Sequence, residues 1–310
     1  MIKKLFLFLA LTVFNSYAFT QTPTKEELKE DILFFKETFV KTHISPFHAI
    51  SEETFNTLVS NLIESVDNLN QYEVYTELMK IIVKAGDGHT NIDWYINPKP
   101  ADFLPVKFQE FSDGIYLTHT VEAYKKVLGN KLIKINGIEI DKAINEIITV
   151  TAGDNTIDKR TRAIKNYLTR PSITYGLKLT NSPERTTFTF SSDDGTEKEI
   201  IIEATQTFRN WLGWLTEPIR KGIHSARNEN VDIPIFLQRE KENYWISLLN
   251  NKKSVYFRMH RVIDRPNMSI DSITTILNQK IHENKANQLI IDLRNNTGGN
   301  NQLTKKLLHT

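Results

Sequence analysis

The sequence predicts an α/β chain of the multi-domain α+β class, because three successive parts of the chain differ in hydrophobic pattern. Up to about residue 85, apolar residues recur every three to four positions, as in amphipathic helices. From about 103 to 203 they alternate as in strands, and from about 255 strand and helix patterns follow one another. We expect an N-terminal helical domain over residues 21–98, a β-rich region over 99–205 and a partial α/β core over 206–310.

Length and composition suit an ordinary globular protein. The chain has 310 residues, which is enough for about two domains of ~150 residues. Its formal net charge of +2 is spread without a basic block, so nucleic acid is not an expected partner. Cysteine is absent, which excludes disulfides, a thiol nucleophile and a lipid-anchored cysteine.

The first residues have the pattern of a secretory signal, which we place at residues 1–20. Lys3 and Lys4 precede an apolar run over residues 5–14, and small residues follow at Ser16 and Ala18. The run is too short to span a bilayer, although a buried N-terminal helix is an alternative. We expect an exported protein, periplasmic or extracellular, with no integral membrane segment after signal removal.

Three amphipathic helices are predicted in the N-terminal domain, forming a small bundle. The first begins at Thr24, whose spacing to Glu27 is that of a capping box. Two more are expected over residues 52–66 and 71–85. Two histidines between the first two helices are interpreted as loop or packing residues rather than metal ligands: His43 and His48.

A glycine-flanked turn with a histidine is predicted at the end of the third helix, in the Gly-Asp-Gly-His-Thr stretch of residues 86–90. A helix C-terminus there would favour the protonated imidazole of His89. Such a residue can act as a base or a cap, and the stretch alone favours the structural role. A metal site of Asp87, His89 and Asp93 lacks a rigid ligand spacing, so we predict no metal and no cofactor.

Turn signals divide the β-rich region. Asn136-Gly137 between two alternating runs predicts a hairpin, and the stretch ending in Gly195 predicts another. Residues 206–250 show little pattern. Their tryptophans are expected to be core or interface residues rather than a ligand platform: Trp211, Trp214 and Trp245. The neighbours His224 and Ser225 lack the glycine elbow of a nucleophile.

The last part is predicted to contain a parallel strand, helix, strand unit. A strand over residues 255–259 is followed by a helix opening near Ser269 and by a second strand over 289–293, which we expect to be buried on both faces. Gly298 and Gly299 then predict a tight loop before another helix. Ligands of such sheets lie past the carboxyl ends of the strands, which here means this loop.

The stretch Asp292-Leu293-Arg294-Asn295-Asn296-Thr297-Gly298-Gly299 resembles the Asp-Leu-Arg-x-Asn-x-Gly-Gly signature of the C-terminal processing (tail-specific) peptidases. This serine peptidase family includes the tricorn-type enzymes. Residues 129–140, with their Ile-Asn-Gly turn, likewise resemble the PDZ-like domain inserted in such enzymes. The order of the parts agrees over most of the chain that follows the signal.

The resemblance implies an α/β sandwich core, a PDZ-like domain that holds an extended peptide, and a role for each signature residue. Gly298 or Gly299 would supply an oxyanion-hole amide, and His89 would be the base, as in tricorn-type members. No lysine matches the base of the other branch. Residues that would support the site are taken from the signature: Asp292, Arg294 and Asn296.

These implications lead us to expect an exported serine-type endopeptidase that acts on a peptide or protein substrate through an acyl-enzyme. The family's nucleophilic Ser follows the Asp-Leu-Arg element on a later turn, beyond Thr310. We therefore expect this chain to be truncated and inactive, with an open sheet edge and exposed apolar surface. The alternative is a non-catalytic homologue that binds a lipophilic ligand or a peptide.

Overall fold

The computed structural model describes residues 22–92, 102–205, 222–227, 231–239 and 241–309. The predicted signal segment lies outside these ranges. Within them the chain is an α+β protein with a helical N-terminal region, a β-rich middle region and a small C-terminal sheet. None of the helices in the described ranges combines the length and the apolar character needed to cross a membrane.

The N-terminal region is the predicted bundle of three amphipathic helices. They are α1 (Lys25–Thr42), α2 (Glu52–Ser65) and α3 (Gln71–Val83). The capping box is present, since the Glu27 amide donates to Thr24 Oγ1 (3.2 Å) and the Thr24 amide donates to the Glu27 carboxylate (2.7 Å). The facing sides bury one apolar cluster: Leu28, Ile32, Phe39, Phe55, Val59, Leu62, Val66, Val74, Leu78, Ile81, Ile82 and Ala85.

The middle region is an antiparallel sheet with short helices packed on it. Its described strands are β1 (Val106–Phe111), β2 (Gly114–Val121), β3 (Lys131–Ile135), β4 (Ile138–Glu139), β5 (Arg185–Ser191), β6 (Glu197–Glu203) and β7 (Ile223–Ser225). They run in the order β1-β2-β3-β5-β6, with β4 paired to β3 and β7 to β2. The accompanying helices are α4 (Ile140–Ile148), α5 (Thr156–Arg162) and α6 (Pro171–Gly176).

Both predicted hairpin turns are confirmed. Asn136 and Gly137 have φ angles of 48° and 78°, and the turn joins Ile135 to Ile138 across β3 and β4. Two successive positive φ angles are the requirement of a tight hairpin turn, which Asn-Gly meets at little cost. The second turn joins β5 to β6 and contains Gly195 at φ 80°.

The helical and middle regions pack directly against each other through α3 and α6. A Cβ on Gly176 would lie 2.4 Å from the Tyr72 carbonyl oxygen, so glycine permits the close approach of the two helices. The Tyr72 and Tyr175 rings meet edge to face at 5.5 Å. Arg162 also donates to the Gly88 carbonyl (2.9 Å), which ties the turn after α3 to α5.

The C-terminal sheet contains the predicted parallel unit. Its strands are β8 (Tyr244–Leu249), β9 (Ser254–Met259) and β10 (Gln288–Asp292), and its helices are α7 (Ile270–Glu283) and α8 (Lys305–Leu308). β9 and β10 pair in parallel through the α7 crossover, and β8 pairs antiparallel with β9. The core of this region lies between the sheet and α7: Tyr244, Val255, Phe257, Met259, Ile270, Ile273 and Leu277.

The prediction that residues 289–293 are buried on both faces is wrong. The side chains of Leu289, Ile291 and Leu293 are 39%, 49% and 55% exposed, and only Asp292 in the strand is buried. The cause is the position of β10, which pairs with β9 alone and forms the edge of the described sheet. The expected open edge with exposed apolar side chains is therefore present.

Strand β7 lies in the stretch where the sequence shows little pattern. It pairs antiparallel with β2, with Thr120 opposite His224 and His119 opposite Ser225. Three residues are too few to show an alternating pattern, so this strand was not predictable. The middle sheet thus includes residues beyond 205, and the domain limits given above stay a prediction.

Candidate functional site

His89 lies on an exposed turn beyond α3. The carboxylate of Asp87 organises the turn, because it accepts hydrogen bonds from the His89 amide (3.0 Å) and from the Thr90 hydroxyl (2.5 Å). The Thr90 bond first and the His89 amide second hold the pKa of Asp87 below its usual range. The His89 ring is 88% exposed, with Nδ1 4.0 Å from Asp87 Oδ1.

The expectation that the C-terminus of α3 favours the protonated ring of His89 is wrong. α3 ends at Val83, six residues before His89, and Gly86 turns the chain at φ 76°. The helix dipole acts only within about the last turn, so it does not act on this ring. The turn instead depends on Asp87 and on its contact with α5.

The ring of His43 contacts the turn that carries His89 through Thr90, a contact that was not predicted from the sequence. Its Nδ1 accepts from the Ser45 amide (3.1 Å), so in the neutral ring Nε2 carries the proton and donates to Thr90 Oγ1 (2.9 Å). The ring also packs on Phe39, with centroids 5.1 Å apart. His43 is thus a packing residue, as expected, and it extends the hydrogen-bond chain from Asp87 through Thr90.

The metal alternative finds no support in the part of the chain that the structure describes. No group of three or more His, Asp or Glu side chains there is arranged to hold an ion. Asp93 lies outside the described residues.

Asp292, at the end of β10, anchors the second candidate element. Its carboxylate accepts from the Tyr256 hydroxyl (2.7 Å), from the Arg294 amide (3.0 Å) and from the Arg294 guanidinium (3.0 Å). These bonds, with those of Arg294 first, hold the pKa of Asp292 well below its usual range. Burial and the neighbouring carboxylate raise the pKa of Tyr256 to about 12.

Two arginines connect this carboxylate to residues 231–239. The Arg294 guanidinium lies over the Phe236 ring, 3.9 Å from its centroid. Arg258, which is 3% exposed, donates to the Phe236 carbonyl (3.2 Å) and to the Asp292 carbonyl (3.1 Å). The end of β10 is therefore held from two sides.

The Asn296 side chain shapes the glycine loop itself. Its amide group donates to the Met259 carbonyl (2.9 Å), and its carbonyl oxygen accepts from the Gly298 amide (2.7 Å). The loop also pairs with the chain after β9, since Val262 donates to the Gly298 carbonyl (2.8 Å) and accepts from Asn300 (2.9 Å). The loop is thus fastened both to the end of β9 and to the chain that follows it.

Gly298 and Gly299 differ in what they offer a ligand. The Gly298 amide is occupied by Asn296, whereas the Gly299 amide makes no hydrogen bond to any residue within the described ranges. Gly299 has φ 140°, and a Cβ there would lie 2.2 Å from the Val262 carbonyl oxygen. Only glycine suits this position, and its amide is available to an incoming group.

The His89 turn and the glycine loop are not joined by any hydrogen bond or ion pair between described residues. No hydrogen bond or ion pair links His89 to residues 294–299, and no Ser hydroxyl of the described ranges bonds to the His89 ring. His224 pairs with Glu122 at 2.6 Å instead, and Ser225 accepts from the Arg227 amide (3.2 Å). Nothing in these contacts makes Ser225 a nucleophile.

A small, shallow pocket lies beside the glycine loop. It is lined by Phe236, Gln238, Arg239, Glu242, Trp245, Arg258, His260 and Asn295. Trp245 is 4% exposed and packs against Tyr256, so it is a core residue with one side on the pocket. No local sequence pattern predicts this pocket, because its lining comes from four separate stretches. Trp211 and Trp214 lie outside the described residues.

Comparison with known proteins gives a structural likeness only. No known family profile matches the chain, and no curated protein matches it in sequence. Among solved structures, mature CPAF complexed with lactacystin is 15% identical with a TM-score of 0.58, over 92% of this chain and 59% of that chain. A structure of mature CPAF alone is 14% identical with a TM-score of 0.52, over 89% and 56%.

CPAF is a chlamydial tail-specific protease. At 15% identity the similarity shows that the two proteins share a fold. This chain spans less than two thirds of the length of the CPAF chains it matches, at 59% and 56%. The chain therefore has a CPAF-like fold.

Proposed function

We propose that this chain is part of an exported serine-type peptidase of the tail-specific kind, which cleaves peptide bonds through an acyl-enzyme. The observation that carries the proposal is the unoccupied Gly299 amide, held in a glycine loop at the carboxyl end of β10. The likeness to CPAF supports the same proposal, since CPAF, whose fold this chain shares, is a tail-specific protease.

The Gly299 amide would act as an oxyanion donor. Attack on a peptide carbonyl places negative charge on its oxygen, and a backbone N–H already in position stabilises that charge without reorganisation. A loop fastened through Asn296 and Val262 provides such a fixed donor. Of the two glycines, we assign the role to Gly299, because the Gly298 amide already donates to Asn296.

Asp292, Arg294 and Asn296 would position the loop and take no part in bond making. The Asp292 carboxylate accepts from both the guanidinium and the backbone amide of Arg294, which sets the direction in which the chain leaves β10. Asn296 then closes the turn. Their contribution is to keep the Gly299 amide pointing at one place.

His89 would serve as the general base for a nucleophilic serine that is supplied by residues following this chain. Its exposed ring is free to meet such a group, and the Asp87 turn holds its backbone. The middle region would act as a PDZ-like domain that binds an extended peptide at a sheet edge, and no cofactor would be required.

The test is peptide hydrolysis by the complete gene product, with an unfolded protein as substrate. We expect hydrolysis, and we expect the His89→Ala variant to lose about a hundredfold or more in kcat. His282→Ala, which removes an exposed histidine on α7, is the matched control and should keep full activity. Absence of hydrolysis by a folded wild-type protein would favour the non-catalytic binding alternative, and unchanged activity in His89→Ala would remove His89 from the mechanism.

A further inference from the structure

The pocket beside the glycine loop has a charge pattern that the proposed chemistry does not use. Arg239 lies over the Trp245 ring, 5.1 Å from its centroid, and makes no ion pair with any described acidic residue. It is an exposed side chain at the mouth of a pocket whose deeper wall contains the buried Arg258. A guanidinium held in place by an aromatic ring, without a carboxylate partner, is available to an anion.

Hydrogen-bond donors with spare capacity converge on the same space. Arg258 uses Nε and Nη1 for the carbonyls of Phe236 and Asp292, and its Nη2 bonds to no described residue. The side-chain amide of Asn295 is likewise without a hydrogen-bond partner in the described part of the chain. Nη2 is not enclosed by the protein, so it can donate to a ligand in the pocket.

The charge of the lining is suited to a single negative charge. Glu242 is paired with Arg265 (3.2 Å), and Arg258 lies 3.7 Å from Asp292, which leaves Arg239 as the unmatched charge among the described lining residues. Burial first, and then the neighbouring Arg258 and Arg261, lowers the pKa of His260, so its ring adds no charge at neutral pH. Arg239 would balance a monoanion, whereas a dianion would bring a second negative charge, without a partner, close to the Glu242 carboxylate.

We propose that this pocket binds one carboxylate group, gripped by the guanidinium groups of Arg239 and Arg258. The planar guanidinium of Arg239 can match a carboxylate in bidentate fashion, and Arg258 adds a single donor, Nη2. The Trp245 and Phe236 rings provide an apolar wall for the attached carbon chain. The carboxylate would come from an acidic side chain or from the C-terminus of a peptide. This binding site is separate from bond cleavage and does not depend on the proposed peptidase activity.

The pocket also contacts the glycine loop, so a bound carboxylate would lie next to the proposed oxyanion donor. Asn295 belongs to both, and the His260 carbonyl accepts from the Thr297 amide (3.0 Å). A peptide held here by its carboxylate would have its backbone near Gly299. The site would thereby select acidic groups in whatever ligand the loop receives.

The test is an NMR titration of the full chain with four small probes, following the His260 ring and the Asn295 amide. Acetyl-glutamate amide carries a side-chain carboxylate, acetyl-alanine carries a C-terminal one, acetyl-glutamine amide carries none, and inorganic phosphate is the dianion. At least one carboxylate probe should bind saturably, and the tighter of the two identifies the source. Saturable binding of acetyl-glutamine amide with equal affinity, tighter binding of phosphate, or no binding by either carboxylate would overturn the proposal.

Two variants with opposite expected effects on carboxylate affinity distinguish a change in the pocket from a loss of folding. Arg239→Gln should weaken carboxylate binding about tenfold, and Glu242→Gln should tighten it about threefold because a like charge is removed. Two exposed residues on β5 and β6 provide charge-matched controls, Arg185→Gln and Glu203→Gln, and both should stay within about twofold of the wild type. An Arg239→Gln affinity equal to that of Arg185→Gln would contradict the assignment, as would weaker binding by Glu242→Gln.

Discussion

Asp292 is the only ionisable side chain of β10, and it is also the best buried residue of the strand. A carboxylate tolerates burial only when its oxygens accept hydrogen bonds from donors that favour the charged form. Tyr256 and Arg294 provide these donors, and the lowered pKa of Asp292 records their effect. The residue thus fixes the direction of the loop that follows.

The Asp292→Asn variant should lose about 3 kcal/mol in the free energy of unfolding at pH 7, measured by urea denaturation. The loss arises because the Arg258 and Arg294 guanidinium groups lose their shared anion. Since the folded pKa of Asp292 is lowered, its stabilisation is present above the unfolded value of about 4 and is lost as pH falls below it. The difference between variant and wild type should therefore shrink below about pH 4.

Asp193→Asn, at an exposed hairpin turn, is the matched control and should change stability by less than about 0.5 kcal/mol. A loss at Asp292→Asn no larger than this control would show that the carboxylate does not hold the loop.

At this scale the sequence predicted the right residues but not their contacts. The signature picked out Asp292, Arg294, Asn296 and the two glycines by resemblance. It could not tell that the Gly298 amide is occupied and the Gly299 amide is not, because that depends on Asn296 folding back over the loop. It also gave no sign that His43 supports the His89 turn, since the two lie far apart in the chain.

Among the elements, the glycine loop shows most clearly why its two glycines are not equivalent. Gly298 has φ 81° with open space where a Cβ would stand, so alanine there brings only backbone strain. At Gly299 a Cβ would be 2.2 Å from the backbone oxygen of Val262, which cannot move without breaking its own bonds.

Gly298→Ala should therefore cost about 1 kcal/mol in the free energy of unfolding, and Gly299→Ala at least about 3 kcal/mol. Each variant is the control for the other, and thermal and urea unfolding measure both. Equal costs would mean that Gly299 does not lie in close contact with the Val262 carbonyl oxygen.

Strand β10 is the element whose burial the hydrophobic pattern predicted wrongly. A run of apolar residues normally marks a strand covered on both faces, and this run has its apolar side chains exposed. Whether a strand is central or at an edge depends on which other segments lie beside it, and a local pattern does not contain that information. The helices and hairpins were predictable because caps, turn residues and periodicity are local.

For the whole molecule, the free energy of unfolding should depend on pH through His119, which lies on β2 where that strand pairs with β7. Burial first, and then Lys107, lowers the pKa of His119 to about 4. The unfolded histidine titrates near 6.5, so between pH 6.5 and 4 the unfolded state binds more protons and stability falls as pH falls. His260, whose pKa is also lowered, adds to the decline with the same sign.

The His119→Gln variant should lose its share of this slope, on the order of 1 kcal/mol after allowance for partial exposure. The measurement is the free energy of unfolding at several pH values between 7 and 4. His282→Gln, which replaces an exposed histidine on α7, should keep the wild-type slope. If the free energy of unfolding of His119→Gln depended on pH as steeply as that of the wild type, His119 would not be held in its neutral form between β2 and β7.

The order of the three regions was predictable for the whole chain, whereas their connections were not. Local patterns marked the helical bundle, the hairpins and the parallel unit, and the structure confirms each of them. The pairing of β7 with β2, the contact of α3 with α6 and the pocket beside the loop all join residues distant in sequence. Such contacts carry no local sequence signal, and the pocket among them lies beside the glycine loop.

The most direct test of the central claim, that this chain carries the oxyanion half of a serine peptidase site, is fluorophosphonate labelling of the complete gene product followed by peptide mapping. A fluorophosphonate reacts only with an activated serine, and its adduct occupies the oxyanion position. The account predicts one adduct per protein, on a serine that follows residue 310, and none in the 310-residue chain alone. A folded complete protein that takes up no probe, or an adduct on a serine within these residues such as Ser225, would contradict it.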